Sequence, residues 1–99
     1  FEHWREGPAD LKPLADRAFC EGMNRVVIHG FPHNPPGTGY PGISYHAGTH
    51  FNDKRVWWPK IKPFNDYLAR ISHVLQETDF VADVLYYYGD QVPNFVAPK

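Results

Sequence analysis

A single cysteine, Cys20, is all this 99-residue chain has, so an internal disulfide framework is excluded. Charge of one sign is equally scarce. Ten Lys and Arg against eleven Asp and Glu give a net charge of −1, with the basic residues scattered. That leaves no electrostatic footprint for nucleic acid, and the same evenness argues against a membrane surface. No apolar run is long enough to span a bilayer, and neither a start methionine nor a signal peptide opens the sequence. The absent start residue fits an expectation of an internal piece of a longer protein. Also absent are a fixed-period repeat, a Gly-rich phosphate loop, a nucleophile elbow and a pair of carboxylates placed for joint acid and base work.

What the chain does have is aromatic surface, proline and glycine. Phe, Trp and Tyr make up 16% of the residues, and the ten prolines and eight glycines concentrate in the middle third. Two ordered blocks are therefore expected on either side of a long irregular segment, which in a compact domain signals a functional loop or one packed against further chain. Residues 1–8 read as a loop. A first helix follows, capped by Asp10, with Pro13 in its first turn, an apolar period of Leu11, Leu14, Ala15, Ala18 and Phe19, and a left-handed glycine stop at Gly22. Cys20 on that helix reads as a core thiol. Residues 24–29 are rich in β-branched side chains with little alternation, the pattern of a strand covered on both faces in a parallel sheet.

The order of helix, glycine turn, buried strand and long loop predicts an α/β fold, specifically a fragment of a (β/α)8 barrel comprising its last αβα units. In such barrels the loops after the strand ends build the site. A second helix is expected to start between Trp57 and Pro63 and run to about Gln76, with Ile61, Phe64, Leu68, Ile71 and Leu75 on one stripe. Residues 80–88 read as a further strand, the first of a following domain, whose aromatic end finds too few partners here to be buried. The expected division is 1–78 for the barrel part and 79–99 for the start of the next domain.

Residues 45–58 are the chemically richest stretch. Their imidazoles, amide, hydroxyl and adjacent indoles combine hydrogen-bonding tips with flat apolar faces, the furnishing of a sugar-binding cleft. The candidate substrate-binding residues are His29, His33, His50, Asn52, Trp57 and Trp58. For His29 and His33, at and beyond a strand end, ligand contact competes with bonding to the loop backbone. For His50, sugar hydroxyls compete with loop-stabilising bonds. One indole is expected to pack inward while the other offers its ring to a pyranose. His46 and His50, four apart, resemble a metal pair. Gly48 and Thr49 between them break the helix such a pair needs, and no third ligand stands at a recognisable spacing, so no metal site is assigned. Asp53, Lys54 and Arg55 read as a solvated charge run, and Tyr86, Tyr87 and Tyr88 as strand packing.

Taken in order, Leu11-Lys12-Pro13-Leu14-Ala15-Asp16-Arg17-Ala18-Phe19-Cys20-Glu21-Gly22, Asn24-Arg25, Gly48-Thr49-His50-Phe51-Asn52, Trp57-Trp58, Tyr67-Leu68-Ala69-Arg70 and residues 80–89 resemble glycoside hydrolase family 106, the α-L-rhamnosidases. The resemblance implies a secreted or periplasmic enzyme of several domains with a catalytic (β/α)8 barrel. It implies inverting cleavage of terminal α-L-rhamnosyl linkages in plant or bacterial polysaccharides, with calcium in the whole enzyme but no calcium ligand assignable in these residues. Family members often carry a glutamate just before the residue matching Phe1, so a strand-end carboxylate is expected to precede this chain, the acid and base are expected outside it, and Glu2 departs from the usual Thr or Ser. The implied partners are a carbohydrate substrate, the rest of the barrel and the following domain, with no nucleic acid or membrane. Two other readings stand beside it: a non-catalytic carbohydrate-binding module using the same loop, and a small metal protein using His46 and His50.

Overall fold

The computed structural model describes residues 4–87 together with Gly89 and Asp90. Helix α1 spans Pro8–Cys20. It begins two residues before the expected Asp10 cap because Pro8, with φ preset and no N–H to leave unbonded, suits the first helical position. Asp10 instead reaches back, its carboxylate accepting the Gly7 N–H at 2.9 Å. Pro13 consequently lies beyond the first turn, inside the helix, where it leaves the Ala9 carbonyl without its usual donor. At the other end Gly22 takes φ 102°, its N–H bonding Phe19 O at 3.1 Å while Met23 N–H bonds Ala18 O at 3.0 Å. This is the paired closure of a left-handed glycine stop. Phe19 is the buried residue of α1, whereas Cys20 is exposed, so the core-thiol expectation fails: position 20 falls on the outer side of the last turn.

Beyond a long irregular segment, a 3₁₀ turn, Trp58–Lys60, leads into helix α2, Lys62–Gln76. Pro63 falls in its first turn, where a proline is accommodated. The predicted stripe is real. Ile61 and Leu68 are buried, and Phe64, Ile71 and Leu75 are partly covered. Between the helices, Tyr67 donates its hydroxyl to Asp16 at 2.5 Å, and Lys12 both pairs with Asp16 at 2.6 Å and lies over the Tyr67 ring.

The expected α/β barrel fragment is not what forms: among the described residues there are two α-helices, one 3₁₀ turn and no strand or sheet. Residues 24–28 take no regular secondary structure, with Val27 exposed. The Arg25 guanidinium donates to Gln76 Oε1 at 2.8 Å and the Gln76 amide to Asn24 O at 3.0 Å. A β-branched run becomes a strand only when another backbone pairs with it, and here none does. Residues 80–87 likewise take no regular secondary structure and are exposed, Leu85 at 96%. Packing for Tyr86 and Tyr87 is therefore not provided, and Tyr88 lies outside the described residues, as do 91–99 of the expected following domain.

The radius of gyration is 17.0 Å, against about 13 Å for a compact chain of 100 residues. The buried hydrophobic residues are Phe19, Phe51, Ile61 and Leu68 among those described. With so little apolar interior, much of the local order in the loops has to come from polar side chains.

Candidate functional site

The irregular segment is folded by its own side chains. Asn34 donates to Asp53 Oδ1 at 2.7 Å and accepts the Ile43 N–H at 2.8 Å, so a single amide gathers three parts of the loop. Gly42, at φ 87°, lies where a Cβ would come within 2.7 Å of Asn34 Oδ1. Asn52 is 0% exposed. Its Oδ1 accepts the Lys54 N–H at 2.7 Å, a local turn that mimics the backbone, and its amide nitrogen points to Ile43 O at 3.5 Å.

A second cluster joins residues 49–58 to the loop before α1. The Thr49 hydroxyl donates to Glu6 Oε2 at 2.6 Å, and Arg55 donates to the Glu6 carbonyl at 3.1 Å. Arg55 is only 9% exposed, so the solvated charge run predicted over 53–55 is corrected at this residue. Its guanidinium stands 5.1 Å from the Trp4 ring and 5.3 Å from the Trp57 ring, where indole faces take the place of water around the cation. Arg55 Nε and Trp57 Nε1 are both buried without a hydrogen-bond partner among the described residues. His50, 4% exposed, stacks on Trp4 with centroids 4.3 Å apart.

The six predicted residues therefore separate. His50 and Asn52 are interior and support the loop. Trp57 and Trp58 are half-buried, both meeting Phe51 edge-on, with Trp58 also 5.2 Å from the partly exposed Phe31. His29 is exposed, edge-on to Tyr45 at 5.0 Å. It borders an open groove of about 360 Å³ lined mainly by Leu11, Leu14, Val26, Phe51 and Leu68. His33 is exposed in the proline-rich turn. The groove takes in His29 but not His50 or either indole.

Three residues of the cluster, Trp4, Glu6 and Arg55, were not singled out from the sequence. Arg55 was hidden by its charged neighbours. The available signal was the indole two positions on, because arginine is the cation most readily buried against aromatic faces. Trp4 and Glu6 become interesting only once the fold brings them to residues more than forty positions away.

Six of the described carboxylates have side-chain or backbone partners. Asp16 pairs with Lys12, Glu21 with Arg17 at 2.8 Å and Asp66 with Lys62 at 2.5 Å, while Asp10, Asp53 and Glu6 accept the bonds given above. Lys12 and Tyr67 hold the Asp16 carboxyl below its ordinary range, and Asp16 raises Lys12. No group of three or more His, Cys, Asp or Glu able to hold a metal ion occurs among the described residues. No helix among the described residues is long and apolar enough to cross a membrane.

Comparison with known proteins extends over nearly the whole chain. A 44% identical relative, named "Putative beta-glucuronidase", from Formosa agariphila, aligns over 100 residues, covering 97% of this chain and 8% of the relative. The chain thus spans less than a tenth of that protein's length. No solved structure matches it. The family model described as alpha-L-rhamnosidase, glycoside hydrolase family 106, matches residues 1–97, and the chain accordingly belongs to that family.

Proposed function

We propose that these residues are part of an α-L-rhamnosidase that removes terminal α-L-rhamnosyl groups from plant or bacterial polysaccharides with inversion of configuration. The carrying observation is the family match over residues 1–97. Inverting hydrolysis uses two carboxyl groups about 6.5–9.5 Å apart, one protonating the leaving oxygen and the other activating water. The paired or capping roles of Asp10, Asp16, Glu21, Asp53 and Asp66 support placing that acid and base elsewhere in the enzyme. The contribution of this chain is then to binding: His29 and His33 supply hydrogen bonds at exposed positions, and Trp57 and Trp58 supply aromatic surface. His50 and Asn52 keep the loop in shape. The whole enzyme is secreted or periplasmic and uses calcium bound outside the residues described.

The name of the Formosa agariphila relative favours a second substrate reading, a β-linked glucuronosyl group. The two are separated with the full-length gene product by assaying aryl α-L-rhamnopyranoside and aryl β-D-glucuronide side by side. The expected result is release from the rhamnoside, with NMR detecting the inverted anomer first. Release from the glucuronide alone would replace rhamnose by glucuronic acid, and release from neither would overturn the reading.

A further inference from the structure

Trp4 combines features that ordinary core packing does not call for. It has φ 65°, a backbone region that costs a non-glycine residue energy, yet the indole so positioned remains 43% exposed. Its placement is supported from within. Buried His50 stacks on the ring at 4.3 Å, and the Arg55 guanidinium, anchored to the Glu6 carbonyl, stands 5.1 Å from its centre. The Glu6 carboxylate, two residues along, is held by Thr49 at 2.6 Å and adds an acceptor to the same segment. An indole that is 43% exposed yet held by an imidazole and a guanidinium, two residues from a fixed carboxylate, has the chemistry that takes the apolar C–H face of a pyranose.

We infer that Trp4 is a stacking platform for a pyranose ring of the substrate, and that Arg55 is the positioning residue that holds it. This rests on the glycosidase reading above but adds a binding residue, Trp4, to those assigned there. Arg55 acts through Trp4 and touches no sugar. The Arg55 guanidinium lies over both the Trp4 and the Trp57 rings, and Arg55→Lys would keep the charge while losing that planar group.

The test uses the full-length gene product and an α-L-rhamnosyl disaccharide, whose two rings cover both sides of the scissile bond. KM and kcat are measured for wild type, Trp4→Ala, Trp4→Phe and Arg55→Lys, with thermal melting as a control for folding. The expected result is a rise in KM of about tenfold for Trp4→Ala, rescue to within about threefold by Trp4→Phe, and an intermediate rise for Arg55→Lys. Tryptophan fluorescence of the wild type is expected to change on titration with rhamnose, and the change to disappear in Trp4→Phe. An active enzyme whose folded Trp4→Ala variant keeps KM within twofold overturns the platform and leaves the glycosidase reading intact. A wild type that cleaves neither rhamnosides nor glucuronides overturns both. If Trp4→Ala does not fold, the fluorescence comparison decides: an unchanged titration in Trp4→Phe overturns the platform.

Discussion

The hydroxyl of Thr49 donates to the carboxylate of Glu6 at 2.6 Å, joining residues 43 positions apart in sequence. The bond ties the segment entering α1 to the chemically rich loop. A hydrogen bond to a partly buried carboxylate contributes about 1.5–3 kcal/mol. Thr49→Val keeps the shape and deletes the donor, so a stability loss of about that size is expected in denaturant titration, together with faster proteolysis on both sides of the contact. Thr49→Ser, which keeps the hydroxyl, should recover most of the loss.

Asn52 tests whether a buried amide organises the loop. Its side chain is 0% exposed and serves both the Lys54 N–H and the Ile43 carbonyl. Replacement by leucine, of similar size but unable to bond, removes both part-buried hydrogen bonds, each contributing about 0.5–1.5 kcal/mol. Asn52→Leu should therefore be the more damaging change in this stretch, and hydrogen exchange at Lys54 should accelerate in it. Unchanged exchange would mean that the loop holds its shape without the amide.

Gly42 carries a conformational prediction. At φ 87°, with Asn34 Oδ1 2.7 Å and Lys54 Cγ 2.9 Å from where a Cβ would stand, Gly42→Ala adds backbone strain to a clash with the residue that gathers the loop. A loss of about 1–3 kcal/mol is expected from the strained backbone. Gly39→Ala, where a Cβ meets nothing within 4 Å and φ is not positive, should be nearly silent in the same melting experiment.

The junction between the helices should respond to pH with a definite sign. Hydrogen bonds from Lys12 and Tyr67 depress the Asp16 carboxyl below its ordinary value of 3.8. The contribution is then fully present above pH 3.8 and lost as pH falls through the lower folded value. Lys12, raised from 10.5 chiefly by Asp16, contributes fully below that pH and loses its share as pH rises through the higher folded value. The melting difference between wild type and Asp16→Asn should thus be constant from pH 5 to 8 and close in acid. A difference that grows in acid would contradict the assignment.

Local chemistry alone made the helices legible. The 3.6-residue stripe of α2 and the glycine stop at Gly22 depend on neighbours within a few positions, and each is realised. The same local logic placed the N-cap three residues late, at Asp10 rather than Gly7, because Pro8 was a better first helical residue. The strand expected over 24–29 was misjudged for a different reason. Its β-branched run describes a backbone ready to pair, but pairing needs a second backbone, and none of the described residues supplies one.

By itself, then, the sequence determined the two helices, their apolar stripe and stops, the irregular character of the middle third, and membership in a glycoside hydrolase family, since these rest on nearby residues or on motif order. Only the tertiary structure decided that His50 and Asn52 turn inward, that Arg55 is buried between Trp4 and Trp57, and that Glu6 meets Thr49. The physical reason is that burial of a polar group depends on which distant partner can satisfy it, and that partner is chosen by the folded path of the chain.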